Sequence, residues 1–247
     1  MKKFRIIPVI DILNSEAVHA VKGERKNYKP LKSVLINSSD PLAIIKKINH
    51  KYLIKEVYIA DLDAILRRKP NFSLLIKIIK LPEIKIMIDP GIISTKNILE
   101  YSIYGLDSLI LGLETIKNLG VISDCLEIIG PQKTIVSIDM YKEVIQTNVK
   151  EIKKQHPIEI IKKVDELGVK KIILLDLYKI GQKIGGIPPL YQEVREKFNG
   201  QIIVGGGIRD VRDIELYKQE NFSGVLIGTA LYDGTIEIEK LREIALN

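Results

Sequence analysis

Short runs dense in Ile, Val and Leu alternate along the chain with longer segments whose apolar residues recur at helical spacing. That alternation is the pattern of repeated strand–helix units around a parallel sheet. Eight such runs occur, at 5–11 (RIIPVID), 56–61 (EVYIAD), 84–89 (IKIMID), 107–111 (DSLIL), 133–139 (KTIVSID), 170–176 (KKIILLD), 201–205 (QIIVG) and 223–227 (SGVLI). Strands this uniformly apolar are buried on both faces, as in an all-parallel sheet. Helix-start signals fall between them: Asp40-Pro41 offers an N-cap and a first-turn proline, and Pro70-Asn71, Pro157 and Pro188-Pro189 mark further starts. Gly105, Gly168 and Gly200 stand where a helix ends or the next strand begins. Eight such units predict an α/β fold of the (β/α)8 TIM-barrel type.

One connection is long. Between Asp11 and Pro41, AVHAV (17–21) reads as a β-ribbon, followed by the basic, polar stretch KGERKNYKP (22–30). Long loops at the C-terminal ends of barrel strands carry active-site covers, which makes 12–40 a candidate functional segment.

The chain also repeats itself. Segment 87–115 aligns without a gap on 203–231 at an offset of 116, pairing Gly91 with Gly207, Ile92 with Ile208, Ile98 with Ile214, Tyr101 with Tyr217 and Gly112 with Gly228. Asp61-Leu62 answers Asp176-Leu177 at an offset of 115, and Asp11 answers Asp139. A copied half requires an even number of units. The expectation is one barrel over 1–247, built of half-barrels at about 1–125 and 126–247.

Composition narrows the class without changing it. A chain of 247 residues with 46% apolar side chains is ordinary for one α/β barrel. The single cysteine, Cys125, cannot form an intrachain disulfide or a metal cluster, and no two histidines have metal-ligand spacing. Neither a metal nor a cofactor is therefore expected. The N-terminus MKKFRIIPVID has too short an apolar stretch for a signal peptide, and no run approaches the ~20 apolar residues that span a bilayer. A soluble, cytoplasmic protein with no membrane contact is the expectation. The net charge of +7 and pI near 9.2 come from lysines spread over most predicted helices, which suits solvated faces and an anionic small molecule better than nucleic acid. Many Lys, Glu and Ile with three Met and one Cys also match a thermophile's composition.

Candidate chemistry gathers at strand ends. VGGGIRD follows the seventh run and LIGTALYDGT the eighth, the two places where barrels commonly bind phosphate. Glycines there let backbone N–H groups approach an anion, and the N-terminus of a following helix adds partial positive charge. Gly205, Gly206, Gly207, Gly228 and Thr229 are accordingly the phosphate-binding candidates. Asp11 and Asp139 end the first and fifth strands, which face each other across an eight-stranded barrel and could divide acid and base work. His19, Lys22, Arg25, Asp61 and Asp176 are further substrate-binding candidates, although carboxylates just past strand ends also serve as turn caps.

IIPVID (6–11), YIADLDAI (58–65), IVSID (135–139), VGGGIRD (204–210) and GVLIGTAL (224–231) resemble the histidine-biosynthesis barrels, the family of ProFAR isomerase and the cyclase subunit of imidazole glycerol phosphate synthase. The resemblance covers essentially the whole chain and implies a barrel of the ribulose-phosphate-binding type. It also implies Asp11 as general base and Asp139 as general acid in an Amadori rearrangement of an aminoaldose phosphate. The family's third strand ends in a glycine-rich, arginine-containing turn for a second phosphate. Here the same place reads IDPGIIS (88–94), with Asp89, Pro90 and Ile93 in its stead. Leu175 stands where a threonine would contact substrate, and His19 where the family carries lysine or arginine. VKGERKNYKP (21–30) and LILGLET (109–115) are similar to proteins described as related to ProFAR isomerase. The implied activity is an isomerase-like reaction on a phosphorylated substrate. The alternatives are a non-catalytic phosphate-ligand-binding subunit, or a lyase or synthase in another cofactor pathway.

Overall fold

The computed structural model describes residues 3–21 and 24–246, apart from the side chains at 25, 238, 245 and 246. Its strands are β1 (Arg5–Leu13), β2 (Glu16–His19), β3 (Lys29–Pro30), β4 (Glu56–Asp61), β5 (Lys85–Asp89), β6 (Ser108–Gly112), β7 (Thr134–Tyr141), β8 (Val144–Ile145), β9 (Lys171–Asp176), β10 (Gln201–Gly205) and β11 (Gly224–Ile227). Strands β1, β4, β5, β6, β7, β9, β10 and β11 pair in parallel in that order, and β11 returns to β1 with Arg5 opposite Gly224 and Pro8 opposite Ile227. The result is a closed (β/α)8 barrel, and each of its strands lies within two residues of a run expected from the hydrophobic pattern.

Three of the helices start at side-chain caps that the sequence supplies. Asp40 accepts from the Leu42 amide ahead of Pro41–Tyr52, Asn71 from Leu74 ahead of Phe72–Ile79, and the His156 ring from Ile158 ahead of Pro157–Glu166. Side chains alternate across the barrel wall, as the twofold period of a strand requires. One set, including Ile7, Tyr58, Ala60, Met87, Ile110, Ile135, Ile173, Ile203 and Leu226, fills the lumen. The intervening set, including Ile10, Ile59, Ile88, Leu111, Val136, Ile172 and Val225, packs against the helices. Cys125 belongs to this outer layer, where burial pushes its thiol up to about 11.

Two barrel strands continue into hairpins. β1 runs on through Asn14 and Ser15 to pair antiparallel with β2, and β7 through Lys142 and Glu143 to pair with β8. All four turn residues have φ between 52° and 66°, the twist that suits two-residue hairpin turns. The ribbon expected at 17–21 is thus the strand Glu16–His19, held further by β3 and by the Leu31 amide on the Ala17 carbonyl. Among the described residues, no helix is long and apolar enough to cross a membrane.

Candidate active site at the barrel mouth

A cavity opening onto about 1060 Å³ of empty space lies at the C-terminal ends of the barrel strands. Asp11 and Asp139 line it from opposite sides, because β7 is fifth in the closed order that begins at β1. Each continues the lumen-facing phase of its strand, Asp11 after Ile7 and Val9, Asp139 after Ile135. Ser137, in the same phase, donates its hydroxyl to Asp139 Oδ1 at 2.6 Å and fixes the carboxyl's orientation.

The same phase brings in two groups that the strand-end rule did not single out as site residues. Asp89 follows Met87 into the cavity, and the Tyr58 hydroxyl donates to its Oδ2 at 3.2 Å. Burial pushes the Tyr58 phenol well above its ordinary value, and the carboxylates of Asp89, Asp139 and Asp11 push it further. The phenol therefore stays protonated at neutral pH among three carboxyl groups. Glu114, just past β6, is a fourth carboxylate lining the mouth.

Across the cavity from Asp89 stand the glycine turns. Gly206 and Gly207 have φ of +87° and +85°, a conformation open to glycine and strained for other residues. A side chain on Gly206 would also meet the Asp176 carbonyl at 2.5 Å. Gly228, beside open space, precedes the one-turn helix Thr229–Tyr232, whose first amides have no intrahelical acceptor. Gly206, Gly207, Gly228 and Thr229 all line the cavity. Gly205 is set behind them, since a Cβ there would lie 2.8 Å from Leu175. Its place is in the packing of the lumen. Lys183 is a lining residue with no motif to announce it, and it pairs with Asp233 at 2.5 Å.

The remaining candidates separate. His19 lines the cavity from β2, beside Val18, Ala20 and Tyr28 of the long first connection. Lys22 lies outside the described residues, as does the Arg25 side chain. Asp61 and Asp176 do not line the cavity. They lie one residue out of the lumen-facing phase of Ala60 and Leu175, and each turns its carboxyl to the backbone. Asp61 accepts from the Ala64 amide at 2.9 Å and Asp176 from the Tyr178 amide at 3.1 Å, so both are caps of the turns that follow. Burial raises the Asp61 carboxyl above its ordinary value against the hydrogen bonds from Ala64 and Asn71.

Residues 5–237 match the model of a family described as histidine biosynthesis protein. The chain is 29% identical over 239 residues to the 1-(5-phosphoribosyl)-5-((5-phosphoribosylamino)methylideneamino)imidazole-4-carboxamide isomerase (ProFAR isomerase) of Lactococcus lactis subsp. lactis, covering 96% of this chain and 97% of that protein. It is 29% identical to the isomerase of the same name from Brachyspira hyodysenteriae, covering 97% of this chain and 98% of that one. It is 30% identical over 240 residues to an uncharacterized protein of Methanocaldococcus jannaschii, covering 96% and 97% of the two chains.

Proposed function

The chain belongs to the histidine biosynthesis protein family, and from that premise we propose that it is an isomerase converting an aminoaldose phosphate to an aminoketose phosphate. The observation that carries the reading is that Asp11 and Asp139, on opposite strands, line the same cavity as the glycine turns at Gly206–Gly207 and Gly228–Thr229. Phosphate held at those turns by backbone amides and the short helix's N-terminus leaves the sugar carbons between the two carboxyl groups. Asp139 as general acid protonates the ring oxygen as the bond from C1 to that oxygen opens to an iminium. Asp11 as general base then removes the C2 proton, and the resulting enolamine tautomerises to the ketose. Protons leave and return in balance, and the sequence of steps draws on acid and base groups that the cavity supplies.

The test is product analysis. Purified protein is offered a panel of aminoaldose phosphates, and conversion is followed by loss of the C1 aldose signal in NMR spectra. Turnover that survives intact in both Asp11→Asn and Asp139→Asn sinks the acid–base assignment. A product with a cleaved carbon–carbon or carbon–nitrogen bond replaces isomerisation by a lyase reaction at the same carboxylates.

A further inference from the structure

Two connections bring the glycine turn and Lys183 to the cavity, and one helix ties them together. The connection after β9 supplies Ile180, Gly181 and Lys183 to the lining, and the turn after β10 supplies Gly206, Gly207 and Ile208. The helix Val211–Gln219 that follows carries Asp213, which does not line the cavity and is only 2% exposed. Asp213 Oδ2 accepts from the Arg209 amide of the turn at 2.8 Å, and Oδ1 accepts from the Gly186 amide of the β9 connection at 3.1 Å. One helical turn on, the Tyr217 hydroxyl donates to the Gly186 carbonyl at 3.2 Å. The Gly185 amide donates to the Gly207 carbonyl at 3.0 Å, a third tie between the same segments. The approach is close enough to demand glycine, because a Cβ on Gly185 would lie 3.0 Å from both Asp213 carboxyl oxygens at a φ of +73°.

The internal repeat isolates what Asp213 adds. Its counterpart at the offset of 116 is Asn97, which accepts from the Ile93 amide at 3.2 Å, the bond that aligns with the one from Arg209. The Asn97 amide nitrogen donates to Glu100 of its own helix. Tyr101, the counterpart of Tyr217, has a buried hydroxyl without a hydrogen-bond partner among the described residues. A carboxyl group offers two accepting oxygens and a carboxamide one. The second half therefore has an acceptor for the neighbouring connection as well as for its own turn.

We infer that Asp213 is a positioning residue for the phosphate end of the cavity: by accepting one amide from each connection, it holds Gly206–Gly207 and Lys183 in a single arrangement ready for the anion. This rests on the proposed function, which places phosphate at that turn. Groups aimed before the ligand arrives need not be ordered on binding, so releasing one connection costs affinity. The sign of the effect separates positioning from charge. Neutralising a carboxylate near an anion site strengthens anion binding by Coulomb's law, whereas releasing the connection weakens it.

The experiment is equilibrium dialysis of the purified protein against radiolabelled inorganic phosphate, with wild type beside Asp213→Asn, Tyr217→Phe and Asn97→Ala. Asp213→Asn keeps the shape of the side chain and one accepting oxygen, as Asn97 has in the first half. The expected result is phosphate binding about tenfold weaker in Asp213→Asn and roughly threefold weaker in Tyr217→Phe, with Asn97→Ala unchanged. Unchanged or tighter binding in Asp213→Asn overturns the positioning role and leaves the phosphate anchor of the proposed function standing. A loss in Asn97→Ala equal to that in Asp213→Asn also overturns it, since a general loosening of the barrel then explains both. No phosphate bound by wild type overturns the anchor itself, and the positioning role with it. Should Asp213→Asn fail to fold by circular dichroism, Tyr217→Phe decides alone, and unchanged binding there overturns the positioning role.

Discussion

The turn after β5 and the turn after β10 align without a gap, yet their backbones are engaged differently. Gly207 lines the cavity and its carbonyl accepts from the Gly185 amide at 3.0 Å, whereas the Gly91 amide donates to the Asp89 carboxyl and the Gly91 carbonyl accepts from the Arg68 side chain. The flanking basic residues diverge in step. Arg68 and Lys183, related by the offset of 115, both have positive φ of 57° and 50°. Arg68 closes its turn by donating to a carbonyl, while Lys183 lines the cavity and pairs with Asp233. The lesson is that a glycine turn can bind an anion only through donors left unsatisfied, and a carboxylate two residues upstream can take one of them, as Asp89 takes the Gly91 amide.

The largest expected effect tests what the halves keep in common. Asp11→Asn and Asp139→Asn should each lower turnover by about 10²–10⁴, the scale of a lost general base or acid. Equal residual rates in the two single variants and the double variant would show the pair acting as a unit. Lys183→Ala should weaken inorganic phosphate binding by roughly threefold to tenfold, a modest loss because the ammonium is already paired with Asp233. Arg68→Ala should leave phosphate affinity unchanged, and a loss equal to that of Lys183→Ala would erase the contrast between the halves.

Smaller effects separate caps from site residues. Asp176→Ala removes the acceptor of the Tyr178 amide and should cost about 1 kcal/mol in urea unfolding with phosphate affinity intact. For Asp61, burial raises the folded-state value above the ordinary 3.8. Its contribution to stability is therefore fully present below that value and is lost as pH rises through the raised folded-state value. Asp61→Asn should gain stability relative to wild type across that window, and a difference that stays flat from below 3.8 to neutral pH would contradict the assignment.

Much of the architecture was legible in the residue pattern. Runs of Ile, Val and Leu bounded by caps mark all eight barrel strands, and positions needing φ above zero mark the Gly206–Gly207 turn. Asp11 and Asp139 were visible as strand-end carboxylates. Their visibility was shared equally by Asp61 and Asp176, which cap turns outside the cavity. Lys183 and Glu114 were not visible, because each comes from a loop with no motif and reaches the mouth only once the barrel has closed.

The sequence alone therefore determined the number, order and length of the units and the chemistry available at strand ends. Which carboxylates meet in one cavity was decided by the closed barrel. The physical reason is that a parallel strand is apolar on both faces, so hydropathy carries no signal of which alternate residues face the lumen. Closure sets that phase by pairing every strand with two neighbours, and with it Tyr58, Asp89 and Asp139 turn inward while Asp61 and Asp176 turn to the backbone.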